Sequence, residues 1–448
     1  MKLIQKSKLT CTYPLEPTQD TKWSVWNNKI HIEGNRFVLF NAYTHCAVLM
    51  DESEYSVPDA LSATDREMLY ENGFLVDAGT DERRLWMEEY VKGREDMSYI
   101  DLTIMLTEDC QMRCQYCFEG AKQRKTISEA TISRVMEFMK RHADVCKRLR
   151  VTWFGGEPLM GYKYLKDMSQ TLMSFCKDND ITYSADITTN GFALSDARCK
   201  ELVEELKVKR FIITIDGPEK IHERRRPLVS NKPTFTIIMR NIEMLTNLGA
   251  FVLVRMTIDK ENAEHIPEFL DYLANSPLKG RVGLAFCRTI DYNYTPDDVK
   301  ELLFTEAEFV DVEWNLIQYA HKLGMWKYGF PHSAPLGGCL RKGDIVVGVE
   351  GELYKCLDTL GDERWLEGNI DDDCSKAPDW LQRWNEWTPF ESDKCACCQL
   401  VPLCNGGCPH NALFEDKKHG SDTGCPDWKG NYKRQIKALI TEEHEEFQ

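Results

Sequence analysis

The sequence predicts an α/β fold centred on a parallel sheet curled into a partial barrel. Between about residues 100 and 290, six strand-like apolar runs alternate with helical patterns at the spacing of strand–helix crossover units. Polar and glycine-rich motifs fall at the C-terminal ends of those runs, where open α/β sheets and barrels carry their chemistry. The cysteines crowd a loop after the first run and a second stretch between 339 and 425.

Bulk properties narrow the class. A chain of 448 residues implies roughly two to four domains, and 42% hydrophobic residues suffice for packed cores. Lys and Arg number 56 against 72 Asp and Glu, a net charge of −16 with no long basic tract. Nucleic acid and anionic membrane are therefore not expected partners. The first residues, MKLIQKSKLTCTY, lack a signal-peptide apolar run, and no run of about 18 apolar residues could span a membrane. A soluble, cytoplasmic chain is expected. In that setting eighteen cysteines argue for metal or cluster ligation rather than disulfides.

In chain order, Ile30 and Ile32, the turn Gly34-Asn35 and the run 37–40 predict a β-hairpin, with a third strand at 47–50. Thr64 and Glu67 form a T-x-x-E capping box opening a helix that Gly73 ends, and 74–76 resumes as strand. A charged helix at about 80–97 leads onward. Six strands are expected at 101–107, 151–154, 182–188, 210–215, 251–258 and 281–286. The helices between them are expected at about 127–145, 160–179, 195–207, 234–248 and 262–275, with right-handed crossovers. A bridging region, 291–338, holds a loop with a short helix and a longer helix at 305–323. The remainder, 339–448, is cysteine-rich and closes with a charged helix at 429–447.

The stretch LTIMLTEDCQMRCQYCFEG sets Cys110, Cys114 and Cys117 in C-x3-C-x2-C spacing, with Tyr116 before the third. Three thiolates cannot complete a tetrahedral zinc site. They suit a [4Fe–4S] cluster held at three irons, the fourth left for a ligand that is not protein. The second strand runs into Gly155-Gly156-Glu157-Pro158. Two glycines let backbone approach a ligand, and the carboxylate can accept from a ligand amine. Thr188, Thr189 and Asn190 end the third strand; Thr214, Ile215 and Asp216 end the fourth. His222 and the run Arg224-Arg225-Arg226 follow, and such a run ordinarily forms a solvated face. Arg255 on the fifth strand can grip a carboxylate bidentately. Near the end come Cys339, then Gly351 and Cys356, then Cys395, Cys398, Cys404 and Cys408 in C-x2-C-x5-C-x3-C spacing, then Cys425. Seven cysteines are one short of two four-thiolate sites, whether for zinc or for clusters.

The cysteine loop resembles that of the radical S-adenosylmethionine (SAM) enzymes, and CxYCFE resembles the branch that modifies peptides and proteins. The resemblance is strong over 101–260 and 339–425 and extends to the first 90 residues. It implies a partial (β/α)6 TIM-like barrel at 100–290 and SAM chelated through its amine and carboxylate by the free iron. Reductive cleavage there would give a 5′-deoxyadenosyl radical that takes a substrate hydrogen. It further implies that Gly155, Gly156 and Glu157 meet the SAM amino group and that Thr188 and Asn190 make polar contacts near it. Thr214 stands where the family's usual Ser does, in one motif with Asp216, and keeps the hydroxyl for a ribose or carboxylate. Arg226 and Arg255 would face carboxylates, and Tyr116 and Leu284 would border the adenine.

Residues 1–90 resemble the winged-helix-like RiPP recognition element, which binds a leader peptide as an added strand at a sheet edge. A scaffold or dimerisation extension is the alternative. The cysteine-rich end, 339–448, resembles the SPASM domain with two auxiliary [4Fe–4S] clusters, three in all. Cys395, Cys398, Cys404 and Cys425 would hold one; Cys339, Cys356 and Cys408 the nearer. Its fourth ligand would be Cys397, Cys374 or Cys287, or an open iron that binds a substrate cysteine. Asp358 is the candidate proton acceptor, and a reductant such as flavodoxin or ferredoxin is implied. The implied activity is a ranthipeptide (SCIFF)-type maturase that installs thioether, sulfur-to-carbon, cross-links in a ribosomally made precursor peptide. A carbon–carbon cross-linking maturase, an anaerobic sulfatase maturase and a zinc-bound scaffold are the alternatives.

Overall fold

A computed structural model describes residues 1–6, 20–57, 61–117, 119, 124–292, 295–331, 336, 339–372, 377–414 and 424–445. Expected positions Cys374 and 446–447 lie outside the described residues. Strands β1 (Lys2–Gln5), β2 (Thr21–Trp23), β3 (Asn27–His31), β4 (Arg36–Asn41), β5 (Ala47–Asp51) and β6 (Leu75–Asp77) build the N-terminal part. The expected hairpin is β3–β4, and β5 and β1 extend it into an antiparallel sheet ordered β1-β5-β4-β3. Alternation along these strands sends residues to both faces. Phe37, Leu39, Val48 and Met50 pack with Leu69, Phe74 and Leu75. Ile30, Val38, Phe40 and Ala47 pack with Leu403, Tyr432, Ile436 and Ile440, so the C-terminal helix Tyr432–Glu445 covers the second face. The first 90 residues therefore share a core with the chain's far end. The helix expected to open at Thr64 spans Ala63–Glu71, and its cap is Ser62, whose hydroxyl accepts from Asp65 N at 3.1 Å.

The main sheet has nine strands. β7 (Tyr99–Met105), β8 (Arg148–Phe154), β9 (Thr182–Thr189), β10 (Val208–Thr214), β11 (Phe251–Ile258) and β12 (Val282–Arg288) match the six expected strands, all mutually parallel and adjacent in chain order. Beyond β7 the sheet continues with β13 (Asp344–Val347), parallel to it, then β14 (Glu352–Tyr354) and β15 (Gly368–Asn369), both antiparallel. Hydrogen bonding thus crosses the boundary expected at 339. The region expected as one helix at 195–207 is a short α-helix, Asp196–Lys200, passing into a π-turn, Glu201–Glu205. There Lys166 holds the Glu201 carboxylate at 2.6 Å and Tyr162 also bonds it, drawing the turn toward the neighbouring helix.

Period-two alternation divides the strands. Leu149, Val151, Trp153, Val252 and Val254 belong to the core beneath the helices. The opposite row carries charges toward the strand starts. Arg150 pairs with Asp101, its Nε at 3.0 Å, and Arg210 with Asp186 at 3.0 Å, making signs alternate across β7 to β10. Asp344, beside Asp101 on β13, has Arg341 at 3.9 Å as its ion-pair partner among the described residues. Burial pushes its carboxyl up to about 6 from 3.8, outweighing Arg341.

The folded chain thus binds this proton more tightly than the unfolded chain does. Stability from the group is present below about pH 4 and lost as pH rises through about 6. Asp344→Asn should flatten the slope of unfolding free energy between those limits and raise stability at pH 7 by about 2 kcal/mol, as urea titrations at both pH values would show.

Candidate active site

The loop after β7 is held from below by backbone. Gly156 N donates to Thr107 O at 2.8 Å and Glu157 N to Asp109 O at 2.9 Å. A Cβ on Gly155 would lie 2.3 Å from Thr107 O, and one on Gly156 would lie 2.5 Å from the carbonyls of Glu108 and Asp109. The glycines expected to admit a ligand thus first admit the cysteine loop itself. Arg113 Nη1 donates to Met112 O at 2.8 Å and also to Cys110 O, closing the loop on itself.

Above this seam lies a cavity of about 560 Å³ at the C-terminal ends of the strands. Cys110, Cys114, Cys117 and Tyr116 line one side, with Gly155 and Gly156. Thr188, Asn190, Thr214, Arg226 and Arg255 line the rest. Burial pushes the Cys114 thiol up to about 12 against the nearby Arg226. Iron uptake by such a thiol must release its proton.

Three expected residues lie elsewhere. Glu157 is wholly buried and does not line the cavity. Its Oε1 accepts from Leu159 N at 3.1 Å and the Thr189 hydroxyl at 2.6 Å, and its Oε2 from Asn190 N at 2.7 Å. It clamps the end of β9 to the turn after β8. Asp216 is also wholly buried, under the loop. It accepts from the Tyr116 hydroxyl and from Thr257 N at 3.2 Å, and Arg226 donates to the same Tyr116 oxygen at 2.6 Å. Leu284 belongs to the helix-facing row of β12 with Val282 and Phe286, one residue out of phase with the cavity side.

The arginine run is not a solvated face. Arg224 is exposed and pairs with Glu261 at 2.9 Å. Arg225 is buried, with Asp259 at 2.8 Å, Glu261 at 2.6 Å and Asp216 at 3.5 Å. Arg226 reaches the cavity. His222 is wholly buried beneath it, and its Nδ1 accepts from Asp216 N at 3.4 Å. Burial and then Arg226 push its pKa down to about 3, so the ring is neutral.

A second cavity of about 390 Å³ is lined by Cys339, Cys356, Cys404, Cys408 and Cys425. Arg288 and Ile290 line both cavities. Cys395, Cys398, Cys404 and Cys425 share the field of Lys429, whose Nζ lies 3.4 Å from Cys425 Sγ. Burial opposes that ammonium, and the neighbouring thiolates hold it charged. Among the described residues no three His, Cys, Asp or Glu side chains close to single-ion spacing. The cysteines border a cavity instead, a donor set suited to a multi-iron body. Of the candidate fourth ligands, Cys397 is exposed and donates to Asp393 O at 3.1 Å, and Cys287 bonds Arg255; neither lines this cavity. Asp358 is half-buried and accepts from Tyr292 at 3.3 Å and from Cys356 Sγ at 3.8 Å. Tyr292 and Arg288, absent from the expected site residues, sit between Arg255 and the C-terminal cysteine motif, with only their proximity to the end of β12 to mark them.

The Cys404–Cys408 step needs its small residues. Asn405, Gly406 and Gly407 have φ of 51°, 89° and 80°, and a Cβ on Gly407 would meet Gly424 O at 2.1 Å.

Residues 104–273 match the family model described as the Radical SAM superfamily, and this part of the chain is a radical SAM domain. The serine-type anaerobic sulfatase-maturating enzyme of Klebsiella aerogenes is 23% identical over 333 residues, 67% of this chain and 77% of that enzyme. Two solved structures share the fold. Native anSMEcpe with bound AdoMet superposes with a TM-score of 0.56 at 18% identity, over 76% of this chain and 99% of that one. Streptococcus suis SuiB bound to precursor peptide SuiA gives 0.50 at 14% identity, over 90% and 99%.

Two substitutions test this geometry. Glu157→Gln turns an amide N–H toward the Asn190 N–H or strands other donors, and should cost about 1–3 kcal/mol in urea unfolding. Gly407→Ala should lower iron and acid-labile sulfide bound by anaerobically reconstituted protein while SAM binding, read by calorimetry, is retained.

Proposed function

We propose that this chain is a radical SAM maturase that installs thioether cross-links in a ribosomally made precursor peptide. The carrying observation is the shared wall. A cavity bordered by Cys110, Cys114 and Cys117 adjoins a second bordered by Cys339, Cys356 and Cys408, with Arg288 and Ile290 common to both. A hydrogen-abstraction site beside a thiolate-binding site is what sulfur-to-carbon bond formation needs.

The first three cysteines would hold the SAM-binding [4Fe–4S] cluster, and the seven later ones two auxiliary clusters. Bound together, SAM and its cluster supply a 5′-deoxyadenosyl radical. Thr188, Asn190 and Thr214 would give that ligand polar contacts, and Arg226, beside Cys114, would face its carboxylate. Tyr116 is held by Asp216 and Arg226 and would keep one wall of the pocket fixed. Asp358 would take the proton of a substrate cysteine, its carboxylate steadied by Tyr292. In net terms one S–H and one C–H bond would be exchanged for one S–C bond: the proton would go to Asp358, the hydrogen atom to the deoxyadenosyl group, and the remaining electron to an auxiliary cluster. The N-terminal sheet would hold the leader. Its edge beside β5 carries the chain's own β1, so an added strand would pair with β1 or with β3, or displace β1. Likeness to SuiB bound to a precursor peptide supports a peptide substrate. Fixing both partners makes the bond-forming encounter intramolecular.

Likeness to the Klebsiella aerogenes enzyme favours a second reading, oxidation of a single Cys or Ser side chain. The test is mass spectrometry of a Cys-rich peptide encoded nearby, incubated anaerobically with reconstituted protein, SAM and a strong reductant. Thioether formation predicts 5′-deoxyadenosine, loss of two hydrogens per event and a cysteine that resists alkylation. The same loss with all thiols free would indicate carbon–carbon linkage, and an aldehyde in place of the cysteine would establish the second reading.

A further inference from the structure

The cavity is strongly cationic in a chain of net charge −16. Among the described residues its lining carries Arg113, Arg124, Arg226, Arg255 and Arg288 against one acid, Glu119. Most of these have work already. Arg113 bonds the carbonyls of its own loop. Arg124 is exposed and lies 4.0 Å from Asp109. Arg226 bonds Tyr116 and sits beside Cys114, one of the three cysteines of the loop. Arg288 donates to Phe304 O at 3.3 Å and lies 4.0 Å from Asp427.

Arg255 differs. It projects from the cavity-facing row of β11, in register with Thr214 on one side and Ala285 on the other. Its strongest electrostatic neighbours are Cys287 and Tyr292, then Tyr116, none of them a carboxylate. It bonds the Cys287 thiol, and among the described residues its buried Nε, like that of Arg226, has no hydrogen-bond partner. Outside the cavity, Arg150 has Asp101, Arg210 has Asp186, and Arg225 has Asp259, Glu261 and Asp216. A desolvated guanidinium without an anion is costly, and a planar fork of donors is matched by a carboxylate. One carboxylate belongs to SAM, and Arg226, beside Cys114, is the cation next to the three thiolates that would anchor it.

We infer that Arg255 is a specificity residue that binds the side-chain carboxylate of an Asp or Glu in the substrate peptide, and so selects peptides with an acidic residue close to the modified cysteine. The assignment rests on reading the cavity as a SAM-dependent peptide site. It moves Arg255 from SAM to the substrate. The peptide's own C-terminal carboxylate has the same chemistry, so the two sources must be separated.

The test uses reconstituted full-length protein with SAM and three probes. They are acetyl-Gly-Asp-Gly-Cys-Gly-amide, its Asn counterpart, and the Asn peptide with a free C-terminus. Binding is read by saturation-transfer NMR, and SAM affinity by calorimetry. The Asp peptide should bind at least about tenfold tighter than the Asn amide, about 1.4 kcal/mol. Arg255→Gln should erase that ratio and leave SAM affinity within about twofold, and Arg255→Lys should restore part of it. Equal or undetectable binding of the Asp and Asn amides would overturn the assignment. So would a tenfold loss of SAM affinity in Arg255→Gln, which would return the residue to the cofactor. A free C-terminus that rescues the Asn peptide fully would assign the group to the chain end instead. Failure of wild-type protein to bind SAM would overturn the SAM reading itself, and the peptide ratio is read separately from it.

Discussion

The backbone seam between Gly155-Gly156 and residues 107–109 is the constraint on which the site depends. It brings the end of β8 to the base of the cysteine loop at distances that no side chain would tolerate. From that seam the rest follows by contact. Glu157 continues it to the end of β9 through three accepted hydrogen bonds. Tyr116, on the loop, reaches across to Asp216 and Arg226 at the end of β10. Four strand ends are thus tied around three thiols by groups buried from water, where hydrogen bonds to charge are strongest.

The same layout explains how one fold keeps a cationic cavity inside an acidic protein. The first halves of the inward strand rows are neutralised by pairing, Asp101 with Arg150 and Asp186 with Arg210. Arg225 is saturated by acids from the β11 end. Only toward the strand ends do arginines outnumber carboxylates, and there the cavity opens. Arg288 and Ile290 then form the partition between this cavity and the cysteine-lined one, so the two cavities are separated by little more than one strand end.

Long, periodic elements were legible in the sequence. β7 to β12 lie where apolar runs predict them, because the face packed under the helices takes an apolar residue at every second position, as Ile100, Leu102 and Ile104 do on β7 and Leu149, Val151 and Trp153 on β8. The C-x3-C-x2-C loop, GGEP and Thr214 were legible because local spacing carries their geometry. What was not legible depends on long-range packing. β13 to β15 are two to four residues long and take their strand character from pairing with β7 and one another. Glu157 and Asp216 read as ligand contacts because a motif gives residue type, while the donors that bury them come from Asn190, Tyr116 and Thr257, far away in sequence. Leu284 fell on the wrong face by one residue, an error that period-two alternation turns into opposite sides of the sheet. Tyr292 and Arg288 have no motif, and only the folded cavity picks them out.

Everything proposed for this cavity depends on a cluster that Cys110, Cys114 and Cys117 would hold and to which SAM would bind directly. Electron paramagnetic resonance of the reduced, reconstituted protein with and without SAM tests it most directly. A SAM-dependent change in the spectrum is predicted for the wild type. In the protein with all three cysteines replaced by Ala, only SAM-insensitive signals from the C-terminal cysteines should remain. A wild-type spectrum that SAM leaves unchanged, or a SAM-dependent signal that survives the triple replacement, would contradict the account.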